Sequence, residues 1–127
     1  ASEKKLNGNF LCIDIFKDNP YSDKSFDVLF SSGIFNLNLG NNQEFLKDAV
    51  NLFLKLTRET VAFNLLWDKS DNKESKYFYF SPEEVLYSLS KLMAMRFPAS
   101  TTILRVKESH MEIWCSCGTN LFRTSAC

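Results

Sequence analysis

A stretch with helical periodicity, set between two strand-like runs, constrains the fold of this chain more than any other feature. From Gln43 to Thr57 the apolar residues recur at the three-and-four spacing that places them on one side of a helix, which Asn41 or Asn42 can cap. The run FDVLFSS (residues 26–32) precedes this helix, and the run ETVAFNLLW (residues 59–67) follows it. Since a crossover helix joins parallel neighbours in a sheet, this order predicts an α/β fold with parallel inner strands.

Three further segments complete the predicted order of elements. The run FLCIDIF (residues 10–16) is rich in bulky residues and is followed by turn formers, which predicts a buried strand. Ser81 and Pro82 fit the cap and the first position of a second helix, which is expected to end at Phe97–Pro98. The runs STTILRVK and MEIWCSC predict a C-terminal antiparallel hairpin. Residues 1–127 are therefore expected to form one domain, with helices on both faces of its sheet.

The charge balance limits the partners that this chain can have. Fifteen basic residues offset fifteen acidic ones, so the net charge is zero, whereas bulk nucleic acid and acidic membrane surfaces favour a basic stripe. No apolar run approaches the roughly 20 residues that cross a bilayer. The four cysteines are spaced unlike a secreted disulfide framework. A cytoplasmic protein with reduced thiols is predicted, with a small molecule or another protein as its partner.

The small residues Ser31, Ser32 and Gly33 interrupt an apolar segment and mark the best candidate for a ligand site. Ligands of open α/β sheets bind at the C-terminal ends of strands, and small side chains there leave room for them. The alternative is a simple turn from strand to loop. Phe35 and Asn36 follow the gap and are placed to line a ligand site by stacking and hydrogen bonding, although Phe35 also suits the core.

The order of elements, three segments and the terminal hairpin together resemble the C-terminal two-thirds of a class I S-adenosylmethionine-dependent methyltransferase. FLCIDIF is similar to the family's third strand, and SFDVLFSSGIFNL (residues 25–37) is similar to its fourth strand and the loop that follows. FLKDAVNLFLKLTRETVAFNLL (residues 45–66) resembles the next helix and the fifth strand, and the terminal hairpin resembles strands six and seven. The resemblance covers nearly the whole chain and implies a partial Rossmann-like methyltransferase sheet.

The resemblance also implies a cofactor, S-adenosyl-L-methionine, and a set of residues that face it. It implies that the carboxylate of Asp14, with Ile15 beside it, accepts a hydrogen bond from the adenine amine; the alternative is that Asp14 caps the turn that follows it. The residues implied on the cofactor side are Asp14, Ile15, Ser31 and Ser32, and those implied toward the methyl acceptor are Gly33, Phe35 and Asn36.

Two features that family members share at the start of the fold are missing from this chain. Neither the glycine-rich turn nor the second, acid-terminated strand is present, and the four glycines lie far apart, at 8, 33, 40 and 118. Because the family's first two strands lie between the third and the fourth, FLCIDIF is left without its neighbours. Three interpretations remain: a fragment or truncated homologue, a strand that pairs elsewhere, or partner strands from another chain, including a homodimer through exposed strand edges.

The other reactive side chains are weaker candidates. His110, the only histidine, is predicted in the hairpin turn. Cys115 and Cys117 are more typical of strand packing than of zinc binding, so no metal site is predicted. The polar loop Asp68–Lys76 is expected to be a solvated connector or, alternatively, a lid or substrate loop.

Together these features predict part of a methyltransferase that acts on a small molecule or a protein, with its catalytic residue unknown. The alternative is a non-catalytic methyltransferase-like module that mediates dimerisation or partner binding.

Overall fold

The computed structural model describes residues 7–96 and 101–116, and these form an α/β fold with four strands and two helices. In chain order the elements are β1 (Phe26–Ser31), α1 (Asn42–Leu56), β2 (Thr57–Leu66), α2 (Pro82–Arg96), β3 (Thr101–Lys107) and β4 (His110–Ser116). From β1 onward this is the predicted order. The predicted end of α2 at Phe97–Pro98 lies outside the described residues.

The four strands form one mixed sheet in the order β1-β2-β4-β3. β1 pairs in parallel with β2, as expected for strands joined by a crossover helix, and the register places Leu29 beside Val61. β4 pairs antiparallel with β2 on one side and with β3 on the other. Within the described residues, β1 and β3 are therefore the two edge strands.

Both helices pack on the same face of this sheet. One buried cluster combines residues of α1, α2, β2 and β4, and on β2 it takes the alternate residues Val61, Phe63 and Leu65. The prediction of helices on both faces is therefore wrong for the described residues. Parallel inner strands are usually covered on two sides, but both helices between residues 42 and 96 lie on the same side of this sheet.

The opposite face of the sheet, here called the open face, carries apolar side chains with no covering layer in the described part of the chain. The strand registers place Phe30 beside Ala62, Ala62 beside Trp114, and Trp114 beside Ile103. Phe30 is 69% exposed, Ile103 53% and Trp114 43%. β1, which was expected to be an inner strand, is thus an edge strand that is covered on one face only in the described residues.

The run FLCIDIF (residues 10–16) is not a strand, contrary to the prediction. Residues 10–14 have no regular secondary structure, and a turn follows them. Phe10 is 77% exposed, and only the last aromatic residue of the run, Phe16, packs on α1, with its ring 5.3 Å from that of Phe45. Apolar composition indicated a buried strand, but a strand also needs a neighbour to satisfy its backbone groups, and none lies beside this run in the described part of the chain.

The two helices begin in different ways. α2 begins at Pro82, as predicted. At the start of α1, Asn41 makes no side-chain cap hydrogen bond. Asn42 is buried, and its side chain hydrogen-bonds to the backbone of the preceding loop. Its Oδ1 accepts from the Leu39 amide at 2.9 Å, and its Nδ2 donates to the Leu37 carbonyl at 2.8 Å. Neither helix of the described ranges has the length and apolar character that spanning a membrane requires.

Candidate functional site

The C-terminal end of β1 is held by one side chain of β2, that of Asn64. Its Oδ1 accepts a hydrogen bond from the Gly33 amide at 3.0 Å, and its Nδ2 donates to Ser32 Oγ at 3.1 Å. Ser31, the last residue of β1, still pairs with Phe63. The chain therefore leaves the sheet at Ser32, and the turn that follows is fixed to the neighbouring strand.

Gly33 has a backbone conformation that glycine adopts more readily than other residues. Its φ is +83°, in the left-handed region where a Cβ costs about 1–2 kcal/mol. Space does not limit this position, because the nearest atom to an added Cβ is Asn36 Nδ2 at 3.9 Å. Glycine is thus needed here for the turn, and the volume beside the strand end stays open.

Few backbone groups at this strand end are free to meet a ligand. The Gly33 amide already donates to Asn64, and the Gly33 carbonyl accepts from the Asn36 amide at 3.3 Å. Ser32 is exposed, and because its Oγ accepts from Asn64, its hydroxyl proton can serve another acceptor. A ligand here would meet the Ser32 hydroxyl and the Asn36 side chain before any backbone amide.

An open depression of about 300 Å³ adjoins this strand end through Asn36. Its walls come from the end of β2, the loop after β2 and the β3–β4 turn, and the lining residues are Asn36, Leu66, Ser70, Asp71, Glu74, Tyr77, Tyr79 and Ser109. Two carboxylates, two phenols, two hydroxyls and an amide lie among the lining side chains, so hydrogen-bond donors as well as acceptors are present. The depression suits a small polar ligand.

The loop after β2 is attached to the loop after β1 by backbone hydrogen bonds. The Asn38 amide donates to the Lys76 carbonyl at 2.9 Å, and the Phe78 amide donates to the Asn36 carbonyl at 2.8 Å. The segment 68–76, predicted as a connector or a lid, is therefore anchored at its C-terminal end to the same loop that carries Asn36. The two loops form one wall of the depression.

The aromatic segment after this loop divides its side chains between core and depression. Phe78 and Phe80 have their ring centroids 4.7 Å apart, and Phe80 is fully buried. Tyr77 and Tyr79 line the depression instead, and the Tyr79 hydroxyl oxygen accepts from the Glu74 amide at 2.9 Å. The phenylalanines of this segment thus pack inward, while its tyrosines supply polar groups to the candidate site.

Three of the predicted site residues lie away from the strand end or point away from it. Phe35 is 1% exposed, and its ring centroid is 5.4 Å from that of Phe63, so it belongs to the core. The Asp14 carboxylate accepts from the Phe16 amide at 3.0 Å, within its own turn. Ile15 is a half-buried residue of that same turn. Among the hydrogen bonds of the described residues, none joins this turn to the serines at the end of β1.

Sequence reasoning did not identify Asn64, Tyr77 or Tyr79 as site residues. Asn64 is the single amide within the apolar run of β2, and a polar side chain in such a strand needs a partner, which was a usable signal. Its partners, however, lie 31 and 32 residues earlier in the chain. Only the strand register reveals that they meet.

The remaining reactive side chains form no metal site within residues 7–96 and 101–116. No group of three or more His, Cys, Asp or Glu residues there could hold a metal ion. His110 opens β4 and pairs with Leu66. Cys115 is fully buried, and Cys117 lies outside the described residues.

Comparisons of the chain with protein-family models, with curated proteins and with solved structures find no match in any of the three.

Proposed function

We propose that this chain forms the acceptor-side part of an S-adenosylmethionine-dependent methyltransferase domain, and that the acceptor, a small molecule or a protein side chain, binds at the end of β1. One observation carries the proposal: in the parallel unit β1-α1-β2, the first strand ends at an open gap that adjoins a polar depression. Ligands of open α/β sheets bind at such strand ends.

The pairing of the strands supports this proposal. The segments that resemble the family's fourth and fifth strands form β1 and β2, which are parallel neighbours. The segments that resemble its sixth and seventh strands form the antiparallel pair β3 and β4. The resemblance rested on the residues and on the order of the elements, so the pairing of the strands adds a further line of support.

The described residues do not form a complete binding site for S-adenosylmethionine. The carboxylate of Asp14, expected to meet the adenine amine, is used by its own turn. The Gly33 amide, which a close-lying ligand could have used, is occupied by Asn64. Ser31 and Ser32 remain at the strand end, so the chain offers one wall of a cofactor site. The other cofactor contacts must come from residues beyond the described ones.

The chain's own residues would act on the methyl acceptor chiefly by positioning it. Methyl transfer is an in-line displacement, so orientation supplies much of what the protein contributes. The Ser32 hydroxyl and the Asn36 amide flank the gap, and the carboxylates of Asp71 and Glu74 lie farther along the depression. Those carboxylates suit an acceptor with N–H or O–H groups, and the Lys76 ammonium, 4.0 Å from Glu74 Oε1, moderates their charge.

NMR titration with S-adenosylhomocysteine tests this function directly. A single wall of a site binds weakly, so we expect fast-exchange shift changes at millimolar ligand, concentrated on the amides of Ser32, Gly33 and Asn36. An absence of shift changes at these amides would overturn the proposal for this chain.

A pair of matched variants makes the titration specific. Ser32→Phe fills the gap with bulk and should abolish the shift changes, whereas Ser90→Phe places the same side chain on an exposed position of α2 and should leave them unchanged. Equal loss in both variants, or none in either, would mean that the ligand does not occupy the gap.

A non-catalytic partner-binding module is the second candidate, and one observation favours it. β1 is an edge strand among the described residues, so one row of its backbone groups is available for pairing. A strand from another protein could add there without any cofactor. The titration separates the two functions, because this one requires no response to S-adenosylhomocysteine.

A further inference from the structure

We propose that the depression beside the end of β1 binds an ammonium group, which is held by carboxylates and aromatic rings of its lining. These groups belong to Asp71, Glu74, Tyr77 and Tyr79. The methyl acceptor of the proposed function then belongs to the class of compounds that carry a primary or methylated amine. That assignment of the acceptor rests on the proposed function, whereas the ammonium site rests on the depression itself.

The charged residues that line the depression are both acidic. Its eight lining residues include Asp71 and Glu74 but no lysine, arginine or histidine. Among the ion pairs of the described residues, none includes Asp71. The Asp71 carboxylate is therefore available to a cation that enters the depression, and an anionic ligand is disfavoured.

The two tyrosine rings of the lining already attract ammonium groups of the protein. Lys76 Nζ lies 5.1 Å from the centroid of the Tyr77 ring, and Lys73 Nζ lies 5.7 Å from the centroid of the Tyr79 ring. Both distances fall within the roughly 6 Å over which a cation is attracted to the face of a ring. Both rings are thus placed where an ammonium group can reach them.

Lys76 makes the contacts that we expect of a ligand ammonium. Besides the Tyr77 ring, its Nζ contacts Glu74 Oε1 at 4.0 Å. One ammonium is therefore paired with a carboxylate and a ring that both line the depression, although Lys76 itself is not part of the lining. Because the Lys76 side chain is 62% exposed, its ion pair contributes little stability. A ligand ammonium can compete with it for both groups.

Hydrogen bonds hold these groups together without a ligand. The Tyr79 hydroxyl oxygen accepts from the Glu74 amide at 2.9 Å, and the Tyr77 amide donates to the Glu74 carbonyl at 3.1 Å. The residue that carries the carboxylate is therefore attached to both tyrosines. Such preorganisation lowers the entropy that binding costs.

The lining and the size of the depression favour an organic ammonium over a metal ion. A hard cation such as Ca²⁺ takes about six to eight oxygen ligands, and no group of three or more His, Cys, Asp or Glu residues in the described ranges could hold a metal. Aromatic rings, in contrast, attract alkylated ammonium groups. The volume of about 300 Å³ is at the lower end for ligand pockets, so a small head group is expected.

An NMR titration of the full chain with choline tests the ammonium site, because the charge of choline does not depend on pH. The control ligand is the uncharged isostere of choline, in which carbon replaces the nitrogen. Choline should bind with a dissociation constant on the order of millimolar and shift the signals of Glu74, Tyr77 and Tyr79. The isostere should bind about fivefold more weakly or worse. Equal binding of the two ligands, or no response of these residues to choline, would overturn the proposal.

Two substitutions of Tyr77 separate its ring from its hydroxyl. Tyr77→Leu removes the ring and should weaken choline binding about two- to fivefold, whereas Tyr77→Phe keeps the ring and should bind like the wild type. Glu74→Gln keeps the shape of the side chain without its charge and should weaken binding to a similar extent. The same affinity in Tyr77→Leu and Tyr77→Phe would refute the role of the ring, and the spectrum of each variant establishes that it is folded.

Removing the Lys76 ammonium should have the opposite effect. Lys76→Met takes away a competitor and a like charge, so choline should bind about threefold more tightly. The matched control is Lys47→Met, which makes the same change of charge on α1, beside a different groove, and should leave the affinity unchanged. An affinity that does not rise in Lys76→Met would contradict the assignment of the site to Glu74 and Tyr77.

Titrations with choline and with S-adenosylhomocysteine distinguish this proposal from the proposed function. A response to choline with none to S-adenosylhomocysteine would overturn the methyltransferase function and support the ammonium site. The reverse result would overturn the ammonium site alone.

Discussion

Asn64 of β2 fixes the position of Gly33 after β1, with the side-chain oxygen 3.0 Å from the glycine nitrogen. The same side chain donates to Ser32 Oγ at 3.1 Å. The residues joined in this way lie 31 and 32 positions apart in sequence, so both contacts form only when β1 and β2 pair in the observed register. The end of the strand and the register of the sheet therefore stabilise each other.

Replacing Asn64 should separate its two roles. Asn64→Ala removes both hydrogen bonds and is expected to lower the free energy of unfolding by about 1–2 kcal/mol, with faster hydrogen exchange at the Gly33 amide. Asn64→Asp keeps an acceptor for that amide but loses the donor to Ser32, so it should preserve most of the protection. Denaturant unfolding and amide exchange measure the two effects.

Thr60→Ala is the control for Asn64, because Thr60 lies on the same face of β2 and has no hydrogen bond to the gap among the described contacts. Unchanged exchange at Gly33 in Asn64→Ala would contradict the assigned role of the amide.

Gly33→Ala should destabilise the chain through its backbone conformation. Because φ at this position is +83° and the space around it is open, the expected loss is the left-handed penalty of about 1–2 kcal/mol, without a steric contribution. Gly8→Ala is the matched control, since no atom lies within 4 Å of the added Cβ and no positive φ marks this position. Thermal or urea unfolding should show a loss for Gly33→Ala only, and equal losses would refute the explanation.

Alanine should affect stability little at Asn41, which occupies the cap position of α1, and strongly at Asn42, which follows it. A capping asparagine is usually worth about 1 kcal/mol, but Asn41 makes no cap bond, so Asn41→Ala should be nearly neutral. Asn42 is 2% exposed and joins the Leu37 carbonyl to the Leu39 amide. Asn42→Ala should therefore cost about 2 kcal/mol, because it leaves two backbone groups without partners. Urea unfolding of both variants checks this, and a larger effect at Asn41 would reverse the assignment.

The ionisation of Glu83 should contribute to stability in a defined pH range. A hydrogen bond from its own backbone amide, followed by one from the Ser81 hydroxyl, holds the pKa of Glu83 below its ordinary value. A carboxyl whose pKa is lower in the folded state stabilises the fold above its unfolded pKa, and this contribution is lost as the pH falls through the folded pKa.

Ser81→Ala should raise the pKa of Glu83 part of the way to its ordinary value, because the backbone hydrogen bond remains. An NMR titration of the carboxyl carbon measures this change. Ser88→Ala, on the same helix, should leave the pKa of Glu83 where it was. An unmoved pKa in Ser81→Ala would show that the hydroxyl does not act on it.

The sequence was sufficient to predict the helices and strands where local signals agree with the tertiary packing. The helical period of residues 43–57 and the cap and proline at Ser81 and Pro82 predicted both helices, and short apolar runs predicted the strands around them. The gap after β1 was found in the same way, since small residues that end an apolar run are a local signal.

The sequence was insufficient to predict a residue's conformation or role where these depend on a contact with a distant part of the chain. FLCIDIF has the composition of a buried strand, yet no strand lies beside it in the described residues, and its Asp14 closes a turn instead. Phe35 stands next to the gap in sequence but packs inward against Phe63. Asn64 acquires its role only through the pairing of β1 with β2. Each of these outcomes is decided by contacts between residues that are distant in the chain.

The isolated antiparallel bridge between Leu37 and Tyr77 has a consequence for the dynamics of the depression. Its two hydrogen bonds protect the amides of Asn38 and Phe78. Because both bonds join the same two short segments, separating the segments breaks both bonds together. Both amides should therefore exchange with solvent through a single opening event. The wall of the depression is then one cooperative unit, or foldon, whose local unfolding sets how often the polar lining is fully exposed to water.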